Sequence, residues 1–144
     1  MYKKILYPTD FSDVAKKALD YIIQLKDAGT YEVIVLYVID KRNLDVLAWY
    51  GVNDLLTFEQ DMEGKLSEEM GEIEDVLKKR GFEVKLRIER GLPFKEILRV
   101  EEEEDVSLIV IGSHGKSNIK EMLLGSVSEK VVRKAKKPVL VVKR

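Results

Sequence analysis

Apolar residues in this chain follow two patterns that take turns along its length. Five short runs rich in β-branched residues read as strands: Lys4-Ile5-Leu6-Tyr7, Val33-Ile34-Val35-Leu36-Tyr37-Val38-Ile39, Glu83-Val84-Lys85-Leu86-Arg87-Ile88, Leu108-Ile109-Val110-Ile111 and Val139-Leu140-Val141-Val142. The third alternates apolar with charged positions, as a half-exposed edge strand does. The other four are nearly continuous, the pattern of strands covered on both faces in a parallel sheet.

Between the strands, apolar residues recur at helical spacing. Ser12 is placed to cap a first helix, with Asp13 in its opening turn and Ala15, Ala18, Leu19, Ile22 and Leu25 forming its apolar stripe until Gly29 stops it. A second helix carries Phe58, Met62, Leu66, Met70, Ile73 and Leu77 and ends at Gly81. Gly64 and Gly71 each weaken it by about 1 kcal/mol relative to alanine, so packing has to hold it. Pro93 opens a third helix through about Glu103, a fourth runs from near Ser126 to Ala135, and Pro138 begins the last strand. This alternation predicts an open α/β sheet with right-handed crossovers, built as one domain over residues 1–144. The segment from Asp40 to Leu56, with Trp49 and Tyr50, is a long connection without a clear period, either functional or closing over the core.

Composition removes several classes of function. Lys and Arg number 25 against 26 Asp and Glu, and the net charge of −1 takes away the bulk electrostatic case for nucleic-acid binding. With no cysteine there are no disulfides, thiolate metal sites or catalytic thiols, and the opening Met1-Tyr2-Lys3-Lys4 is not a signal peptide, so a cytoplasmic protein is expected. No apolar run approaches the ~20 residues of a membrane span, so no membrane partner is expected. The run Glu101-Glu102-Glu103-Glu104-Asp105 reads as a solvated helix end, and Arg133, Lys134, Lys136 and Lys137 as cations opposing the negative end of a helix dipole.

The candidate chemistry lies between the fourth strand and the fourth helix, in the spacing Gly112-x2-Gly115-x9-Gly125-Ser126. Glycines after a strand permit positive φ and close approach of a ligand to bare amides, and a helix opening at Gly125-Ser126-Val127-Ser128 has first-turn amides without partners in the helix. Such a loop suits an anion. In a doubly wound sheet the ligand crevice lies outside the carboxyl ends of the strands where their order reverses. Three segments converge there: Tyr7-Pro8-Thr9-Asp10, Val38-Ile39-Asp40 and the glycine loop. No G-x-G-x-x-G follows the first strand, and neither G-x-x-x-x-G-K-[ST] nor H-E-x-x-H occurs, which disfavours dinucleotide oxidoreductases, P-loop NTPases and zinc hydrolases.

Together these segments resemble the ATP-binding branch of the universal stress protein family. Ile5-Leu6-Tyr7-Pro8-Thr9-Asp10-Phe11-Ser12 is similar to that family's first strand and turn, the glycine spacing to its phosphate-binding signature, and Pro138-Val139-Leu140-Val141-Val142 to its closing strand. The resemblance implies a Rossmann-like, open five-stranded parallel sheet with helices on both faces, similar to the adenine nucleotide alpha hydrolases, in strand order 3-2-1-4-5. It also implies bound ATP with Mg²⁺ or Mn²⁺, and a homodimer; the apolar edge strand Pro138, Val139, Leu140, Val141 and Val142 invites pairing with its symmetry mate and is the interface expected. Carried over by position, Val38 would meet the adenine edge, and Pro8, Thr9 and Asp10 would lie near the adenosine. Ile111, Gly112, His114 and Gly115 would border the ribose and phosphates, and Gly125, Ser126, Val127 and Ser128 would receive phosphate oxygens.

Several residues keep two readings. Asp10 either turns the chain into the first helix or contacts the ribose or a phosphate-bound Mg²⁺. His114, the single histidine, is a phosphate donor, a bystander or an acid–base group. Ser126 and Ser128 either cap the helix or bind phosphate, and the two roles are compatible. The function expected is a dimeric, nucleotide-dependent stress or regulatory switch. The competing reading is a slow ATP hydrolase or nucleotidyl-chemistry enzyme using the same crevice.

Overall fold

The structure, a computed structural model, describes residues 2–42, 55–114 and 124–144, with residues 55–62 described by their backbone only. Five strands, β1 (Lys4–Pro8), β2 (Glu32–Asp40), β3 (Glu83–Gly91), β4 (Leu108–Gly112) and β5 (Val139–Val142), form one sheet in the order β3-β2-β1-β4-β5. Every neighbouring pair is parallel. The described helices are α1 (Asp13–Gln24), α2 (Leu55–Lys79), α3 (Pro93–Glu104) and α4 (Ser126–Lys134). None of them is long and apolar enough to cross a membrane.

The two-residue period of the strands sorts their side chains into two cores. Ile5, Tyr7, Val33, Val35 and Val110 face Ala18 and Ile22 of α1 and Leu66, Met70 and Leu77 of α2. Leu6, Ile34, Leu36, Ile109 and Ile111 face Ile97 and Val100 of α3 and Val131 of α4. This is why β1, β2 and β4 read as unbroken apolar runs: both of their faces are covered. The expected stripe of α2 packs as read at Leu66, Met70, Ile73 and Leu77, whereas Phe58, Met62, Trp49 and Tyr50 lie outside the described side chains.

Local signals act where they were expected. The Ser12 hydroxyl accepts from the Ala15 amide at 3.3 Å and opens α1. The helix tightens into a 3-10 turn over Leu25–Ala28 before Gly29 stops it in the left-handed region, at φ 98°. Pro93 occupies the first turn of α3.

Two expectations need correction. β5 is as apolar as the central strands but lies at an edge of the sheet, with Leu140 36% exposed, so its continuous pattern does not signal burial on both faces. The acidic run at the end of α3 is also not simply solvated. Glu101 is 2% exposed, and its carboxylate accepts from the amides of Lys136 and Lys137 at 3.0–3.2 Å, tying α3 to the turn before β5. Glu103 and Glu104 pair with Arg87, Arg99 and Lys85, and Glu102 pairs with Lys136. Arg87 and Lys85 come from β3 and Lys136 from the α4–β5 turn, partners that a reading of the local run cannot supply, whereas Arg99 lies on α3 itself.

Candidate functional site

The strand order reverses between β1 and β4, and there the two strands separate. Their register covers only Ile5↔Leu108 and Leu6↔Ile109, while β1 stays paired with β2 to Pro8↔Leu36 and β4 with β5 to Gly112↔Val142. The chain ends beyond these pairs therefore border a crevice at the carboxyl edge of the sheet, the usual ligand position for this topology.

On the β1 side, Pro8 ends the strand and the buried Thr9 extends the pairing by one amide, donating to the Leu36 carbonyl at 2.9 Å. Two side chains then brace the turn. The Thr9 hydroxyl accepts from the Phe11 amide at 3.1 Å, and an Asp10 carboxylate oxygen, Oδ1, accepts from the Ser12 amide at 2.9 Å. The turning role of Asp10 is thus present, and it commits Oδ1. Phe11 takes φ 64°, uncommon for a bulky residue, with its ring stacked on Tyr37 at 5.1 Å. Burial and the carboxylates of Asp10 and Glu69 push the Tyr37 hydroxyl pKa upward. Val38, half-buried on β2, lies two residues past the last β1 partner, Leu36.

On the β4 side, Ile111 and Gly112 are buried in the strand. A Cβ added at Gly112 would lie 2.9 Å from Val14 Cγ1 and 3.2 Å from the Ala15 nitrogen, so this glycine admits the first turn of α1 against β4. Ser113 follows, and then His114, whose Nδ1 is 2.8 Å from the Ser113 hydroxyl oxygen. Gly115 lies outside the described residues.

The chain returns at the start of α4. Gly125 donates its amide to the Ser113 carbonyl at 2.6 Å and occupies the N-cap position with φ −73° and ψ 168°. Its backbone is ordinary extended chain, so the positive φ expected from the glycine pattern is absent there. Glycine is favoured at this position by closeness instead, because an added Cβ would lie 3.3 Å from His114 Cα and from the Ser113 oxygen. Having no side chain, Gly125 offers no cap to the first-turn amides of Ser126, Val127 and Ser128. Ser126 is exposed, Val127 is partly buried against the second core, and Ser128 is buried. The Ser128 hydroxyl donates to the Ser113 carbonyl at 2.6 Å and lies 3.1 Å from the Gly125 carbonyl, so it fastens α4 to β4.

The arrangement brings Ser113, His114, Gly125 and Ser128 into direct contact, with Pro8, Thr9 and Asp10 across the strand switch. It offers amides at a positive helix end and an imidazole, groups suited to holding an anion, and one carboxylate, which opposes an anion unless a cation lies between them. Among the described residues, no three His, Asp or Glu side chains are grouped to hold a metal ion. A divalent cation here would depend on ligand phosphates, with Asp10 as the protein carboxylate at hand. Ser113 and Phe11 are the residues that sequence reasoning passed over. The first stood as filler inside the glycine spacing, although the Ser-His dipeptide was a usable signal; the second gives no sequence sign of its backbone geometry.

A family model described as the universal stress protein family matches residues 1–143. One universal stress protein of Methanocaldococcus jannaschii is 47% identical over all of this chain and 96% of its own length, and a second is 34% identical over all of this chain and 84% of its own. A solved structure of the first is similar with a TM-score of 0.90 and 45% identity, covering 100% of this chain and 97% of that one. The universal stress protein from Archaeoglobus fulgidus in complex with dAMP is similar with a TM-score of 0.67 and 25% identity, over 99% and 98% of the two chains. Another universal stress protein, in complex with cAMP, gives 0.65 and 26%, over 99% and 97%. The sheet order, the strand-switch crevice and these matches together establish that the chain belongs to the universal stress protein family.

Proposed function

We infer that this chain binds ATP, with Mg²⁺ or Mn²⁺, in the crevice between β1 and β4 and acts as a dimeric, nucleotide-dependent switch. The observation that carries the reading is the start of α4, which Gly125 leaves without a side-chain cap of its own, beside the Ser113-His114 corner, where amides and a helix dipole match the charge of phosphate. Two relatives of the same fold, solved in complex with cAMP and dAMP, support an adenine nucleotide as the ligand class. Val38 at the end of β2 and the Pro8–Asp10 turn would flank the adenosine, Ile111, Gly112, His114 and Gly115 the ribose and phosphates, and Gly125 to Ser128 the phosphate oxygens.

The described side chains supply binding groups but no evident in-line activator of water. Ground and transition states are then held about equally, which lowers a dissociation constant without accelerating the chemical step. Turnover is expected well below the ~1–1000 s⁻¹ of dedicated enzymes. The test is to release and identify the nucleotide that copurifies with the chain and to follow its hydrolysis with Mg²⁺ or Mn²⁺. Near-stoichiometric adenine nucleotide with slow turnover supports the switch. Its absence, with no ATP binding on addition, contradicts the reading. Turnover near the ~1 s⁻¹ lower end of the enzymatic range, lost in Asp10→Asn or His114→Ala, would favour the hydrolase.

A further inference from the structure

Among the described residues, two that are not glycine take a positive φ, Asp105 at 49° and Phe11 at 64°. Asp105 follows the last turn of α3, a place where the left-handed conformation is ordinary. Phe11 ends no helix, and for so bulky a residue the conformation is costly, so its surroundings have to hold it there. It lies inside the turn from Thr9 to Ser12, one residue after Asp10 and one before the N-cap of α1.

The turn's own side chains, Thr9 and Asp10, accept from the amides of Phe11 and Ser12, and such bonds permit more than one backbone form of a bend. What reaches Phe11 from outside the turn is the ring of Tyr37, with centroids 5.1 Å apart and planes 11° from parallel, and both rings pack against the first core. Because φ sets the direction in which the side chain leaves the backbone, an ordinary negative φ at residue 11 would swing the ring off Tyr37. The stack and the left-handed backbone therefore hold together. Tyr37 stands on β2 between Leu36, whose carbonyl accepts from the Thr9 amide, and Val38, the position assigned to the adenine edge. The strand that would meet the base thus also carries the ring that braces the turn opposite it.

We propose that Tyr37 is a positioning residue: its ring, stacked on Phe11, holds the left-handed turn that sets Pro8, Thr9 and Asp10 toward the adenosine of a bound nucleotide. The proposal rests on the adenine-nucleotide reading of the crevice and adds to it a residue that acts through Phe11 rather than on the ligand. Without the stack, Phe11 relaxes toward negative φ and the segment carrying Asp10 shifts on its way into α1. The phosphate side, built from β4 and the start of α4, takes no part in this turn. The loss then falls on contacts to the nucleoside, which ATP and adenosine share.

Calorimetric titrations of ATP and of adenosine into the full chain test this. Tyr37→Leu and Tyr37→Met, which keep an apolar side chain without a ring, are expected to weaken both ligands about fivefold, within the range an aromatic pair supplies. Tyr37→Phe, which keeps the ring and drops the hydroxyl, is expected to stay within about twofold of the wild type. Glycine takes a positive φ without support, so in a Phe11→Gly background Tyr37→Leu is expected to change either affinity by less than about twofold. In the ligand-free protein, hydrogen exchange at the amides of Phe11 and Ser12 is expected to quicken in Tyr37→Leu, while the amides of β1 and β4 keep their protection.

Wild-type affinities in folded Tyr37→Leu or Tyr37→Met, or a Tyr37→Phe as weak as these, would overturn the proposal. So would a loss for ATP alone, which places the effect on the phosphate side, or an undiminished loss in the Phe11→Gly background, which marks Tyr37 as core packing with no hold on the turn. If the wild type binds neither ATP nor adenosine, the nucleotide reading fails and the adenosine role falls with it, while hydrogen exchange still decides whether Tyr37 holds the turn.

Discussion

At the scale of single residues, the first core is organised around a tyrosine. Tyr7 is fully buried, and its hydroxyl donates to the Ala15 carbonyl in the first turn of α1. Burial, partly offset by a hydrogen bond with Thr9 and reinforced by the charges of Asp10 and Asp20, pushes its pKa from 10.0 up to about 12. The folded state thus keeps a proton that the unfolded chain releases near pH 10. This contribution to stability is full below that value and is lost as pH rises toward 12. Two pKa units correspond to roughly 2–3 kcal/mol. Denaturant titrations at pH values of about 9 and 12 are expected to show this loss in the wild type beyond any shared with Tyr7→Phe. Equal alkaline losses in both proteins would show that Tyr7 does not couple folding to pH.

At the scale of elements, the long charged helix α2 carries a reserve of stability. A Cβ added at Gly64 or Gly71 would meet nothing within 4 Å, so neither glycine serves close packing or a special φ. Each alanine substitution is expected to stabilise by about 1 kcal/mol and to raise the melting temperature by roughly 2–4 °C. A lower melting temperature for Gly71→Ala would mean that the glycine has a role its surroundings do not reveal. Elements were the most legible level of the sequence, because periods of 2.0 and 3.6 residues report which face is covered. The strand order followed from the resemblance, since periodicity alone does not order strands. The edge position of β5 followed from that order and not from its apolar pattern, since Val139-Leu140-Val141-Val142 has the same composition whether a sheet neighbour is present or not. The acidic end of α3 was misread for a related reason: the amides of Lys136 and Lys137 that engage Glu101 lie 35 and 36 residues away in sequence. The glycine spacing marked a candidate loop but not the reasons for each glycine. Gly112 makes room for α1 and Gly125 for the Ser113-His114 corner, neither of them with positive φ. Close approach between distant segments leaves no mark on local sequence beyond the glycine itself.

At the scale of the whole molecule, the edges of the sheet differ in chemistry. β3 is an edge lined with charge, where Arg87 pairs with Glu89, Glu103 and Glu104 and Lys85 with Glu104, a form of edge that resists pairing with another sheet. β5 is an apolar edge beside a shallow groove of about 260 Å³ lined by Lys17, Tyr21 and residues 140–144. A homodimer formed through β5 would cover that edge. Leu140 is the position at which to test it, because it is exposed whereas Val141 packs against the second core. Light scattering is expected to give a dimer at micromolar concentration for the wild type and a monomer for Leu140→Lys; a monomeric wild type would contradict the interface. The same Ser113 that anchors the end of β5 also holds the start of α4, so the proposed dimer edge and nucleotide site share one anchor. The central claim, that this site holds ATP through the amides at the start of α4, is tested most directly by calorimetric titration of ATP into the wild type and into Gly125→Val. The account predicts one ATP per chain for the wild type and, in a folded Gly125→Val protein, binding at least tenfold weaker, about 1.4 kcal/mol, because the added side chain crowds the Ser113-His114 corner. No binding by the wild type, or unchanged affinity in a folded Gly125→Val, would contradict it.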